Sequence, residues 1–93
     1  GELVTKPITF TGKTLRLNFA TSAAGRLQVE LQDVQGKPLP GFSLDESEEL
    51  FGDTLDRGVN WNVKADLSPL IGQPVQVRFV LRDADLYSFQ FRD

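Results

Sequence analysis

Apolar and polar residues alternate with a period of two over most of this chain, the spacing of strands that bury one face and wet the other. Leu15, Leu17 and Phe19 alternate with Arg16 and Asn18, and Leu27, Val29 and Leu31 alternate with Gln28 and Glu30. Val75, Val77, Phe79 and Leu81 alternate with Gln76 and Arg78, broken only by Val80, while Tyr87, Phe89 and Phe91 alternate with Ser88 and Gln90. Val59, Trp61 and Val63, separated by Asn60 and Asn62, predict a shorter strand of the same kind. Residues 2–5 and 8–10 read as strands around Pro7, which marks an edge or a bend.

Turn chemistry punctuates these runs at residues 11–13, at Ser22-Ala23-Ala24-Gly25, at Asp33-Val34-Gln35-Gly36, at Gly72-Gln73-Pro74 and at Asp83-Ala84-Asp85. Such spacing predicts an all-β domain, an antiparallel β-sandwich of roughly seven strands. Two short helical turns are expected, one over residues 46–51 ended by Gly52, the other over 67–71 with Asp66 as N-cap and Gly72 as stop. The last run, 87–91, is expected beside 2–5, bringing the chain ends together. No internal repeat, low-complexity tract or linker divides the sequence, so residues 1–93 read as one β-sandwich domain.

Faces assign the aromatic side chains. Trp61 lines up with Val59 and Val63, and Tyr87 with Phe89 and Phe91, so both rings are expected in the core. Phe42 and Phe51 lie outside the alternating runs; Phe51 is expected to clamp the 46–51 turn onto the sheet.

Composition narrows the chemistry. With 93 residues, 40% of them hydrophobic and 25% charged, the chain can build one core but has little room for a deep cleft. It contains no Cys, no His and no Met, which removes thiolate and imidazole nucleophiles or bases, Ser-His-Asp triads and structural zinc. No apolar run reaches the ~20 residues of a membrane span, and the start lacks the pattern of a signal peptide. The lack of Cys leaves the compartment open, because a domain needing no disulfide can also be secreted. These features predict no catalysis, no metal site, no cofactor, no membrane and no nucleic-acid partner, the last because Lys and Arg form no cluster.

The net charge of −3 is unevenly spread. Asp45, Glu46, Glu48, Glu49, Asp53 and Asp56 lie in one segment without a cation, whereas the rest carries seven acids against ten bases. Clustered carboxylates can ligate calcium, but the Asp-x-Asp-x-Asp-Gly spacing of an EF-hand is absent, and a solvated acidic turn and loop is the better account of the segment. A glycosidase pair would need two carboxyl groups facing each other across a sugar, and these acids crowd one local stretch. The polar positions of the strands offer a different surface. Arg16, Arg78 and Arg82, with Asn18, Gln28, Gln90 and Arg92, present planar groups that can hydrogen-bond sugar hydroxyls or a partner's carboxylates, and Phe42 in its loop could add a ring.

Several stretches resemble a known family. They are Gly1-Glu2-Leu3-Val4-Thr5-Lys6-Pro7, Leu15-x-Leu17-Asn18-x-Ala20-Thr21 with Ala24-Gly25, Gly36-x-Pro38-x-Pro40-Gly41-Phe42, Phe51-Gly52-Asp53, Trp61, Gly72-x-Pro74-Val75, and above all Asp83-Ala84-Asp85-Leu86-Tyr87-Ser88-Phe89. Together they resemble a bacterial β-sandwich domain appended to the C-terminal side of glycoside hydrolases, notably those similar to the β-propeller invertases and inulinases. The resemblance implies an antiparallel jelly-roll-like β-sandwich of about seven or eight strands, residues 1–93 being a piece of a larger multidomain enzyme: a non-catalytic accessory module, outside the cytoplasm, whose partner is a catalytic glycosidase domain of the same polypeptide. The alternatives are a carbohydrate-binding module that holds a poly- or oligosaccharide itself, and a protein interaction or oligomerisation domain. No site residue is carried over from the family.

Overall fold

Four of the alternating runs belong to two long strands. The computed structural model describes residues 1–62 and 64–93 and contains one antiparallel sheet of four strands, β1 (Glu2–Val4), β2 (Thr14–Gln32), β3 (Asp53–Gly58) and β4 (Gln76–Arg92), in the order β1-β4-β2-β3. Strands β2 and β4 pair with each other over almost their whole length, from Thr14 opposite Arg92 to Gln32 opposite Gln76. The expected turns at 22–25 and 83–85 are therefore not hairpins. Thr21 pairs with Ala84 and Arg26 with Arg82, so Ser22, Ala23, Ala24 and Gly25 face Asp83 alone, and both strands turn one shared corner. Asp83 adopts a left-handed φ of 48°, and Gly25, having no Cβ, lets the carbonyls of Arg82 and Asp83 approach its backbone.

That corner folds the ladder onto itself. Phe79 and Phe89 are ten residues apart on β4, a span of about 33 Å in a straight strand. Their ring centroids lie 5.2 Å apart. The inward rows of the two halves thus pack on each other in a single core, with Leu15, Leu17 and Phe19 from one half meeting Leu27, Val29, Leu31, Val77 and Phe79 from the other. The alternation predicted from sequence is obeyed at every one of these positions, all of which are buried.

In the half that holds 26–32, β3 no longer flanks β2, and loop segments satisfy the exposed edge residue by residue. Leu27 and Leu50 exchange backbone hydrogen bonds of 2.9 and 2.8 Å. The Val29 N–H donates to Ser47 Oγ at 3.0 Å, and its carbonyl accepts from the indole Nε1 of Trp61 at 2.9 Å. The Leu31 N–H donates to the Phe42 carbonyl, and the Leu31 carbonyl accepts from Leu39. Buried backbone groups need partners, and here two side chains act as a missing strand.

This capping explains several differences from the sequence expectations. The acidic segment forms a single 3-10 turn over Leu44–Glu46 rather than a turn over 46–51, because Ser47 and Leu50 are held extended against β2. Phe51 is not a clamp; it is 62% exposed beneath the Arg26 guanidinium. Trp61 is 1% exposed, as its face predicts, yet it forms isolated bridges with Ser47 and Lys64 instead of a strand, and Val63 lies outside the described residues. The second turn, Ser68–Leu70, falls within the expected 67–71, but its N-cap is Leu67 rather than Asp66, which lies one residue earlier and accepts at Oδ1 from the Ser68 N–H and hydroxyl.

Two further expectations fail. Residues 87–91 pair with β2, while β1 lies against Arg78, Phe79 and Val80 at the other end of β4. The chain ends are thereby placed on different halves: Gly1 beside Leu81, Arg92 beside Thr14. The other failure concerns Tyr87, which is 64% exposed.

Candidate functional site

Tyr87 leaves the core because β4 carries an extra residue there. Ser88 pairs with Asn18 and Leu86 with Phe19, so Tyr87 has no counterpart on β2 and Leu86 takes the inward place behind Phe89 and Phe91. A second bulge occurs at the same level on the opposite neighbour. Between the pairs Leu17–Arg57 and Phe19–Thr54, Asn18 alone faces both Leu55 and Asp56 of β3. Paired bulges thus flank Asn18, and a shallow depression beside it is lined by Ala20, Thr54, Leu55 and Tyr87. Leu55 is 83% exposed. Full burial of a side chain of this size is worth about 1.5–3 kcal/mol, which this surface forgoes at both positions.

A charged row borders these two side chains. Asp56 Oδ1 accepts from Arg16 Nε at 2.9 Å and from Arg92 Nη1 at 3.0 Å, joining β2, β3 and β4 across the outer face. The hydrogen bond from Arg16 is the main cause holding the Asp56 carboxyl below its usual range, and the same bond raises Arg16. The outer face of this half therefore reads, along β2, Arg16 with its acid partner, then Asn18 between Leu55 and Tyr87, then Ala20.

The four residues singled out from sequence do not converge. Arg16 belongs to this face. Arg78 lies on the outer face of the opposite half, where it grips Glu2 at 2.8 and 3.3 Å and reaches Glu30 at 3.4 Å. Arg82 is exposed beside the corner and, among the described residues, makes no ion pair. Phe42 is half-buried, with its ring set edge-on against Trp61 at 5.4 Å, so it is occupied in packing. Sequence reasoning missed Leu55 and Tyr87. The available signal was the adjacent pair Leu86-Tyr87, two large residues competing for one inward slot.

The clustered acids are dispersed among separate partners. Glu46 accepts from Ser43 and from Asn62, Glu48 pairs with Arg57 at 2.7 Å, and Asp56 with the two arginines. Among the described residues no three acids gather as a metal-binding group.

One carboxylate is buried instead on the opposite face. Glu30, read from sequence as a wet position, is 4% exposed because the segment around Leu44 covers it. Burial alone would push its pKa up, but hydrogen bonds from Gln32, the Leu44 N–H and Arg78 outweigh this and hold it below its ordinary value. Asp56 and Asp66 are lowered as well, Asp66 chiefly by the Ser68 hydroxyl. In all three cases the unfolded chain binds protons more readily than the folded one, so their contribution is present at neutral pH and is lost as pH falls through the folded values. Thermal melts between neutrality and about pH 3 are expected to hold a plateau and then fall below about pH 4.5, with Glu30→Gln flattening part of the fall. A midpoint that rises on acidification would contradict this assignment.

Compared with models of protein families, with characterised proteins and with solved structures, the chain gives no match to any.

Proposed function

We propose that this chain is a non-catalytic docking module: the accessory, jelly-roll-like β-sandwich of a larger glycoside hydrolase, working outside the cytoplasm, with its paired-bulge face seated on the catalytic domain of the same polypeptide. The observation that carries the reading is the exposure of Leu55 and Tyr87 on bulges at one level of the sheet. Bulges re-aim side chains, and two of them aiming large apolar groups at solvent side by side fit a contact surface better than a free one. The Arg16–Asp56–Arg92 row supplies a charged rim of the kind that surrounds such contacts. A chain without His or Cys lacks the commonest general bases and nucleophiles, in keeping with a supporting role.

The test is made in the full-length polypeptide. Leu55→Asp with Tyr87→Asp is expected to lower the melting temperature of the catalytic domain while leaving that of the isolated 93-residue chain nearly unchanged, since both side chains are already in solvent. Equal melting of the catalytic domain with and without the two changes would remove the docking reading.

A second reading rests on Tyr87 itself. An exposed ring beside Asn18, with Gln90 and the arginine–aspartate row on the far side of Asn18, is also a surface for an oligosaccharide, the ring stacking on a sugar face and the planar groups taking hydroxyls. Affinity electrophoresis in gels containing plant or microbial polysaccharides separates the readings: retardation of the chain, abolished by Tyr87→Ala, supports sugar binding, and unretarded migration in every gel excludes it.

A further inference from the structure

The paired-bulge face carries opposite charges at its two ends. At the Thr14 end, Arg16 and Arg92 donate to Asp56 Oδ1 at 2.9 and 3.0 Å, so two guanidinium groups share one carboxylate oxygen and one positive charge is left over. At the corner end, Ala20 has an aspartate directly opposite it on each side, Asp53 on β3 and Asp85 on β4. Phe19 is buried, successive residues of a strand alternate between faces, and opposed residues share a face, so Ala20, Asp53 and Asp85 all point outward. Both aspartates are exposed, and among the described residues neither forms an ion pair. Leu55 and Tyr87 lie between the two ends, beside Asn18. The face thus runs from surplus cation through an apolar contact to uncompensated acid, and Arg16 and Ala20, four residues apart, set its length at about 13 Å.

Unpaired, exposed aspartates add nothing to the stability of the chain itself. These two flank β2 at a backbone separation of about 10 Å, with only the Ala20 methyl between them. A long cationic side chain fits that gap, its stem over Ala20 and its head within reach of either carboxylate. At the other end Asp56 holds the two arginine forks in place, and a guanidinium with donors to spare takes a second carboxylate in paired hydrogen bonds.

We infer that the domain seated on this face presents a basic side chain to Asp53 and Asp85 and an acidic one to Arg16 and Arg92, on either side of its apolar contact with Leu55 and Tyr87. The inference rests on the docking reading and adds to it the chemistry and orientation of the partner. Charges around a contact select register and orientation more than they add affinity. Turned through 180°, the same partner would set base against the arginines and acid against the aspartates, so the polarity admits one seat.

The full-length polypeptide again provides the test. Asp53→Lys and Asp85→Lys each reverse a charge at the acidic end, and Arg92→Gln removes the surplus cation at the other. Glu49→Lys makes the same change of charge as the aspartate variants, but on an exposed residue beside Leu50, in the segment that caps the other half. Each of the first three is expected to lower the melting temperature of the catalytic domain by about 2–4 °C. The difference from wild type is expected to shrink toward 1 M salt, where charges are screened within about 3 Å. Glu49→Lys is expected to leave that temperature unchanged, and all four leave the melting of the isolated 93-residue chain nearly unchanged, since the side chains are exposed. Unshifted melting of the catalytic domain in the aspartate variants or in Arg92→Gln, or an equal shift with Glu49→Lys, would overturn the inference. If Leu55→Asp with Tyr87→Asp still lowers it, the docking reading survives that failure; if not, both fall. The competing occupant is a second copy turned through 180°, whose ends would also match. Sedimentation of the 93-residue chain is expected to show a monomer, and a dimer dispersed by Asp85→Lys would give the face to that copy and overturn the inference.

Discussion

Replacing Trp61 with alanine is expected to destabilise the fold by about 3–5 kcal/mol, a large share of the ~5–15 kcal/mol that holds a domain of this kind together. Two losses combine. The ring is buried among the core residues and packed against Phe42, so its removal opens a cavity. Its Nε1 also donates to the Val29 carbonyl, a buried acceptor that then has no donor, and an unsatisfied buried group costs about 1–3 kcal/mol. Trp61→Phe separates the two contributions, retaining much of the packing while losing the hydrogen bond. The control is Tyr87→Ala, expected to change stability by no more than about 0.5 kcal/mol because the side chain is mostly in water. Urea denaturation of the three variants measures the order directly. A Tyr87→Ala variant as damaging as Trp61→Ala would place Tyr87 in the core and refute the bulge.

Gly25→Ala is the second large effect, at about 1–3 kcal/mol. A Cβ at Gly25 would collide with the Asp83 carbonyl and lie 2.9 Å from the Arg82 carbonyl and the Thr21 Cβ. The obstacles are mainly backbone at the corner shared by β2 and β4, where neither strand can move without disturbing the other's pairing. At Gly58 the nearest atom to an added Cβ is Arg16 Nη1 at 3.0 Å, the end of a flexible side chain, so Gly58→Ala is expected to cost less. Thermal melts of the two variants rank them. Equal stability of Gly25→Ala and the wild type would show that the corner is looser than the structure requires.

The inward rows were legible because alternation reports which face is buried, and each of Leu15, Leu17, Phe19, Leu27, Val29, Leu31, Val77 and Phe79 lies where it predicts. Alternation does not report pairing partners. Ser22-Ala23-Ala24-Gly25 has the chemistry of a hairpin turn, and only the long-range match with Asp83 converts it into a corner within one strand. Two strands were read as four for the same reason, and the rest of the overcount comes from the runs at 8–10 and around Trp61, where Ile8 and Trp61 form isolated bridges rather than strands.

The site was harder to read. A bulge shifts phase by one residue, so Tyr87, in register with Phe89 and Phe91 by counting, is out of register in space. Strand β3 escaped notice because Asp53-Thr54-Leu55-Asp56-Arg57-Gly58 has one large apolar residue, and that residue points to solvent; backbone pairing with β2 and the Asp56 ion pairs hold it. Glu30 followed the outward phase correctly, yet the Leu44 segment, distant in sequence, covers it. In each case the deciding contact is non-local, and single-sequence periodicity carries no information about it.

The account depends most on the slip between β2 and β4 at Tyr87, since the exposed face and the docking role both follow from it. Cross-strand proton contacts in a nuclear Overhauser spectrum of the labelled chain measure it. The expected set joins Phe19 to Leu86 and Asn18 to Ser88, skipping Tyr87. Contacts joining Phe19 to Tyr87 in an unbroken ladder would contradict it.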